Sequence, residues 1–404
     1  MLCFCDNVYY VKGRVNACLY DLNFKKLYHI SPTEIAFLDR IIGKCENELV
    51  LSSDEKEAFH QLQVLHLVHD ASELNSGDIR SASAPAIKQA WIEVTQTCNL
   101  FCCHCYEDSA PVRHERMTME DFHHCIDELE KERIPYIQFI GGEPLCLKSI
   151  LKEMIDYTLN KFSKIEVFTN GTLISDEWAR YFAANNIHVA LSVYSYIPEM
   201  HDAVTRKQGS FLKTTSGIQR LKDHNVKYRV ANVLMNGVEL GKKNTDLFRL
   251  SPNKDVIRMS GRGNIGLLNE KLIRKKLIDL RTFEAPLKPN LVRQSFSFHQ
   301  CFSTHLYVDA NLNVYPCVME RRLCHGSLKN KPLREVLKQD IFTLNKDKVE
   351  ECMRCEFRYC CFDCRPNSFS DNVFAKPWYC TYSPDQGIWL SPDDLINKIL
   401  DRRY

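Results

Sequence analysis

The chain has 404 residues, is 45% hydrophobic and 26% charged, and sets 53 basic against 51 acidic residues for a formal charge of +2. That size fits two or three domains, and the balanced charge argues against a general nucleic-acid or membrane-surface binder, which carries a basic excess or stripe. No apolar run reaches about eighteen residues, and the opening MLCFCDNVYYVKG is not built like a signal peptide, so a cytoplasmic protein without a membrane span is expected.

Residues 1–75 read as a small separate unit. Alternating apolar positions around Val8–Val11, Ala17–Tyr20 and Leu27–Ile30 predict three short strands, with Gly13 and Asn23 at the turns. Ser31-Pro32-Thr33-Glu34 then supplies an N-cap serine, a proline at the first helical position and a capping-box glutamate. Ile35, Leu38 and Ile42 follow at helical spacing, and Ser52 with Glu55 caps a second helix through Phe59 and Leu62. Three strands and two capped helices predict a winged-helix-like module. Residues 76–90, small and polar around Pro85, read as a linker.

From residue 91 strands and helices alternate. Candidate strands are Trp91–Thr95, Tyr136–Ile140, Lys164–Phe168, His188–Val193, Lys227–Leu234 and Asp255–Met259. Amphipathic stretches lie between them, such as Thr118–Lys131, capped by Thr118 with Asp121. This is the pattern of an α/β fold with a parallel sheet and crossover helices. Six units over 91–285 predict a partial (β/α)6 barrel, with function at the carboxyl ends of its strands. Residues 286–384 lose the alternation and are rich in cysteine, aromatics and turn residues, a composition that calls for metal staples. Residues 385–404 end in a short amphipathic helix from Asp393.

Nineteen cysteines stand out in the composition. In a reducing compartment clustered cysteines are metal ligands more often than disulfides. Cys3, Cys5, Cys18, Cys45, Cys125 and Cys146 are scattered and read as small buried hydrophobes; the others fall within 98–105 and 301–380. Cys98, Cys102 and Cys105 are spaced C-x3-C-x2-C directly after the first barrel strand. Three thiolates on a four-iron cluster leave one iron open to chelate an amine and a carboxylate. A structural zinc would instead close its shell with a fourth ligand, here His104 or Cys103.

The stretch Cys98-Asn99-Leu100-Phe101-Cys102-Cys103-His104-Cys105-Tyr106 resembles the cluster motif of the radical S-adenosylmethionine enzymes. In that family the open iron binds the methionyl amine and carboxylate, and reductive cleavage yields a 5′-deoxyadenosyl radical that abstracts hydrogen. Gly141-Gly142-Glu143-Pro144, after the second strand, resembles the family's contact to the methionyl amine. Glycines there let backbone approach a ligand, and a carboxylate accepts from an ammonium group. The resemblance also places Ser192 at the ribose, Arg206 at the cofactor carboxylate, the RMSGRG run Arg258–Gly263 at the adenine, and Asn170 on the rim.

Two C-x2-C pairs in the carboxyl-terminal segment would suit a zinc ribbon. Its larger set of thiols resembles instead the SPASM extension, which carries two auxiliary four-iron clusters in enzymes that modify peptides. That resemblance implies Cys352, Cys355, Cys361 and Cys380 as ligands of an outer cluster, and Cys301, Cys317 and Cys364 as ligands of an inner one. The spacing leaves Cys360 and Cys361 as alternatives and Cys324 as a fourth inner ligand or a buried thiol. Leu312 stands where the family has a turn glycine.

The string CEFRYCCFDCR, Cys355 to Arg365, is similar to maturases of ribosomally made peptides, in particular those of grasp-with-spasm systems. The resemblance implies that residues 1–75 hold a precursor's leader peptide as an added strand, and that a flavodoxin or ferredoxin supplies electrons. Hydrogen abstraction from the peptide would lead to a thioether or another intramolecular crosslink, or to an epimer with Cys103, Cys146 or Cys324 as hydrogen donor. The remaining alternatives are a sulfatase-maturase-like modifier of a folded protein and a silent, metal-stapled peptide-binding protein.

Overall fold

A computed structural model describes residues 1–70, 86–252, 255–338, 344–366 and 372–401. Residues 71–85, which take in the end of the predicted module and most of the predicted linker, lie outside the described residues, as do 402–404 of the predicted last helix.

The amino-terminal unit starts with β1 (Leu2–Phe4), then β2 (Val8–Lys12), β3 (Ala17–Asp21) and β4 (Lys26–Ile30), the last three forming an antiparallel sheet in that order. Helices α1 (Pro32–Ile41) and α2 (Ser53–Val64) follow, and both predicted capping boxes form, Ser31 with Glu34 and Ser52 with Glu55. Each such cap stabilises its helix by about 1 kcal/mol. A short β5 (Val68–Asp70) returns to pair antiparallel with β1, a contact that sequence pattern did not announce. The unit's core is built by Leu2, Ala17, Leu19, Leu38, Ile41 and Phe59.

The second unit opens with β6 (Gln89–Thr95), so the last two residues of the predicted linker already belong to the sheet. Helix α3 (Met119–Lys131), capped by Thr118, leads to β7 (Tyr136–Gly141). Helix α4 (Ser149–Thr158), β8 (Lys164–Thr169), α5 (Asp176–Ala184) and β9 (His188–Ser192) continue the alternation. Helices α6 (Pro198–Thr205) and α7 (Ser210–Asp223) precede β10 (Tyr228–Ala231). These five strands are parallel, in the order β10-β9-β8-β7-β6.

The predicted sixth strand, Asp255–Met259, is reduced to a single parallel bridge between Leu234 and Val256. Strand β10 ends at Ala231, so only Leu234 meets the segment, with Asp255 and Ile257 supplying its two backbone bonds. Helices α8 (Glu270–Lys276) and α9 (Pro289–Ser295) follow. The sheet then grows at its other edge, where β11 (His305–Val308) pairs parallel with β6, and β12 (Asn313–Tyr315) and β13 (Gly326–Ser327) add antiparallel. The cysteine-rich segment thus extends the parallel sheet before it enters its own loops. Leu312, in the β11–β12 turn, has φ 67°, the left-handed conformation a glycine would adopt without strain. Its side chain is nonetheless buried in the main core.

A short helix α10 (Leu333–Val336), a hairpin of β14 (Tyr382–Ser383) and β15 (Ile388–Trp389), and α11 (Pro392–Asp401) complete the chain. Among the described residues no helix is long and apolar enough to cross a membrane.

Candidate functional site

At the carboxyl ends of the parallel strands lies a cavity of about 450 Å³, and Cys98, Cys102 and Cys105 all line it. The loop bearing them is held from three sides. Cys98 N–H donates to the Ala110 carbonyl, while Phe101 and Cys103 donate to Thr205 and Val204 at the end of α6. From above, Arg262 N–H donates to the Cys105 carbonyl, and the Arg262 guanidinium donates to the Cys102 and Ser109 carbonyls. Gly261 allows this approach: with φ 55°, a Cβ there would lie 2.4 Å from the Cys105 carbonyl oxygen. The RMSGRG run, expected at the adenine, therefore also clamps the cysteine loop.

The three thiols share one cavity wall. Burial is the main cause that pushes Cys98 and Cys102 up, Cys102 to about 12, and the neighbouring thiols add to the rise. Such a group ionises together only around a cation, which is what an iron cluster provides. His104 also lines the cavity, with its Nδ1 buried and unpaired and its pKa pushed down to about 4 by burial and by Arg262. Of the two candidates for a fourth zinc ligand, then, His104 reaches the cavity and Cys103 does not.

Gly141 and Gly142 line the cavity, and both owe their identity to contact with the strand beside them. Gly142 N–H donates to the Thr95 carbonyl at 2.7 Å, and Glu143 N–H to the Thr97 carbonyl at 2.8 Å. An added Cβ would lie 2.2 Å from the Thr95 oxygen at position 141 and 2.3 Å from the Thr97 oxygen at 142. The Glu143 carboxylate, expected to face an amine, is instead turned inward and fully buried. It accepts from Leu145 N–H, Thr169 Oγ1 and Asn170 N–H, at 3.1, 2.6 and 2.7 Å. Burial outweighs these bonds and raises its pKa to about 7. Pro144 is buried at the start of the following short helix.

Ser192, at the end of β9, and Asn170, after β8, both line the cavity. Asn170 Nδ2 donates to Asn99 Oδ1 at 2.8 Å and approaches Cys98 Sγ at 3.9 Å. Arg206 is not among the lining residues: it ends α6 with φ 54° and lays its guanidinium over the Phe101 ring, 5.3 Å from the centroid. The cations that line the cavity are Arg229, Arg258 and Arg262. Sequence reasoning also missed a buried cluster in which Arg321 pairs with Glu107 and Tyr307 donates to Glu93. Glu107 follows the cysteine motif and lines the cavity, but nothing local marks its distant partners.

The carboxyl-terminal thiols fall into two groups. Cys352, Cys355, Cys361 and Cys380 line one small cavity together with Lys346 and Lys376. Cys360 points the other way, donating to Tyr20 Oη at 3.5 Å and to the Phe357 carbonyl. Burial raises the Cys317 thiol to about 12, with Cys364 and Cys301 adding to the rise and Arg258 opposing it. Cys301, Cys317 and Cys364 are thus close enough to act on one another. Cys324 is exposed, and its thiol donates to the Gly326 carbonyl.

Residues 92–242 match the Radical SAM superfamily. The matched stretch is the one that bears Cys98, Cys102, Cys105, Gly141 and Gly142. Over 171 residues it is 33% identical to the antilisterial bacteriocin subtilosin biosynthesis protein AlbA of Bacillus subtilis, a match covering 42% of this chain and 38% of AlbA. Over 145 residues it is 32% identical to the mycofactocin maturase MftC of Mycolicibacterium smegmatis, covering 36% of each chain. It thus spans little more than a third of the length of these relatives. In fold it is similar to Streptococcus suis SuiB, solved with the precursor peptide SuiA bound, with a TM-score of 0.51, 12% identity, and 92% of this chain and 98% of that one covered. The cofactors of a radical SAM domain are a four-iron cluster and S-adenosylmethionine, and the cysteine-rich segment fits the auxiliary clusters of SPASM-type relatives.

Proposed function

We propose that the protein is a radical S-adenosylmethionine enzyme that modifies a ribosomally synthesised precursor peptide and installs a thioether or another intramolecular crosslink in it. The observation that carries this reading is the convergence of Cys98, Cys102 and Cys105 on one cavity with Gly141, Gly142 and Ser192. These three thiols would hold the cluster. With S-adenosylmethionine bound beside it, the cluster would supply the chemistry of hydrogen-atom abstraction from the peptide. Backbone at Gly141 and Gly142, on the cavity wall, would receive the methionyl end. Ser192 and Asn170 offer hydrogen-bonding groups along the cavity wall, and Phe168, Val318 and Met319 supply apolar walls that exclude water from a reactive intermediate.

The peptide would arrive through its leader. Strands β2 and β4 are the outer strands of the amino-terminal sheet, each paired on one side to β3. An extended leader adds to such an edge through main-chain hydrogen bonds. Cys352, Cys355, Cys361 and Cys380 would hold an outer auxiliary cluster and Cys301, Cys317 and Cys364 an inner one, with a flavodoxin or ferredoxin as electron source.

The test is anaerobic reconstitution with iron and sulfide counted per chain, then dithionite and S-adenosylmethionine with 5′-deoxyadenosine as readout. Cleavage that disappears in the Cys98→Ala, Cys102→Ala, Cys105→Ala chain, while iron remains at the other thiols, supports the reading. Zinc in place of iron, or no cleavage by the native chain, overturns it.

A further inference from the structure

Arg258 stands between the two redox regions. It lines the cavity that holds Cys98, Cys102 and Cys105, yet its Nε donates to Cys364 Sγ at 3.3 Å. The same guanidinium pairs with Asp255 through Nη2, and Asp255 pairs in turn with Lys276. The Arg258 side chain is 22% exposed, so its charge is screened less than that of a surface arginine. It also acts electrostatically on Cys317 and Cys301, the two thiols grouped with Cys364. The guanidinium shape suits the position, because Nε can meet a sulfur while a separate nitrogen holds the carboxylate.

We propose that Arg258 is a positioning residue for the inner thiol site of Cys301, Cys317 and Cys364, and that its fixed charge, set against that of Asp255, raises the reduction potential of the iron–sulfur centre held there. The proposal rests on the assignment of those three cysteines as ligands. One-electron reduction, [4Fe–4S]²⁺ + e⁻ → [4Fe–4S]⁺, adds one negative charge and no proton, with dithionite or a one-electron carrier protein as the donor. A neighbouring cation and a hydrogen bond to a ligating sulfur both favour the reduced side. Arginine keeps its charge at any working pH, so the effect is constant.

The experiment uses the full chain with Cys98, Cys102 and Cys105 replaced by alanine, so that only auxiliary centres report. Each variant is reconstituted anaerobically, its iron is counted, and potentials are read by electron paramagnetic resonance during titration with dithionite. Arg258→Gln is expected to move one auxiliary signal to lower potential and leave the other in place. Arg258→Lys, which keeps charge but loses the Nε bond, should restore part of the shift. Asp255→Asn should move the same signal the opposite way, to higher potential, which a merely structural role would not do. If Arg258→Gln loses iron, the Lys and Asp255 variants carry the comparison. Unmoved potentials with iron retained, or shifts of one sign in Arg258→Gln and Asp255→Asn, overturn the proposal. Cys364→Ala separates the two layers. If it abolishes a signal that the Arg258 variants leave unmoved, the Arg258 proposal alone falls; if it changes no signal, the ligand assignment falls and takes the proposal with it.

Discussion

The Tyr20 hydroxyl, on the middle strand of the amino-terminal sheet, donates a 2.6 Å hydrogen bond to the Glu356 carbonyl, one residue beyond Cys355. Around it, Arg14 N–H donates to the Arg354 carbonyl and Arg358 donates to the Lys12 carbonyl, so the β2–β3 hairpin grips both sides of the Cys355 loop. Gly13 sits so close that a Cβ would lie 2.4 Å from the Glu356 carboxylate. The unit read as peptide-binding thus also braces the outer thiol loop. Tyr20→Phe removes a buried bond and leaves the Glu356 carbonyl without its donor. It should lower stability by about 1–2 kcal/mol in denaturant unfolding of the apo chain. An unchanged midpoint would show that the brace adds nothing to stability.

Gly142→Ala should be far more damaging than Gly43→Ala. At 142 an added Cβ meets the Thr97 carbonyl oxygen at 2.3 Å, whereas at 43 it meets nothing within 4 Å and bears only the strain of φ 84°. Overpacking against backbone costs about 1–3 kcal/mol and displaces the loop, against about 1 kcal/mol for the strain alone. Equilibrium dialysis of S-adenosylmethionine against the reconstituted chains should show binding weakened at least tenfold for Gly142→Ala, which is about 1.4 kcal/mol, and unchanged for Gly43→Ala.

Cys360 and Cys361 should separate cleanly under substitution. Cys361 lines the cavity shared with Cys352, Cys355 and Cys380, while Cys360 faces Tyr20. Iron analysis of Cys361→Ala should show a loss of about four irons per chain, the content of one cluster, and Cys360→Ala should keep them. The reverse result would assign the ligand to Cys360.

Glu143 gives the apo protein a pH dependence. Its folded pKa of about 7 stands above the ordinary value of 4.5, because burial favours the neutral acid. Folding therefore takes up a proton, and this contribution is complete below about 4.5 and lost as pH rises through about 7. At about 1.4 kcal/mol per pH unit, the full loss across that shift is about 3–4 kcal/mol. Urea midpoints at pH 5 and pH 8 should differ accordingly, and Glu143→Gln should flatten the difference while lowering stability overall, since an amide nitrogen cannot accept. A slope unchanged in that variant would assign the dependence to another group.

Much of the scaffold was legible from local pattern. Ser31 with Glu34 and Ser52 with Glu55 announce their helices because a cap acts within one turn. Apolar strands at regular intervals announce β6 to β10 because a parallel sheet buries both faces. The C-x3-C-x2-C run and the paired glycines mark the cavity before any coordinates, since both follow a strand directly.

Other features depended on partners far apart in the chain. Asp255–Met259 carries strand pattern yet makes one bridge, because β10 stops before it can offer a full edge. Glu143 was legible as a carboxylate near the site, but its three donors come from 145, 169 and 170 and turn it inward. Spacing alone could not choose between Cys360 and Cys361; Tyr20, 340 residues away from Cys360, shows which thiol faces out of the cavity. Nor could it join Arg258 to Cys364, 106 residues apart. Local sequence determined the elements and the cluster loop, because caps and periodicity act over a few residues. Tertiary structure decided which thiols and charges meet, because those contacts depend on how the finished sheet and loops stack.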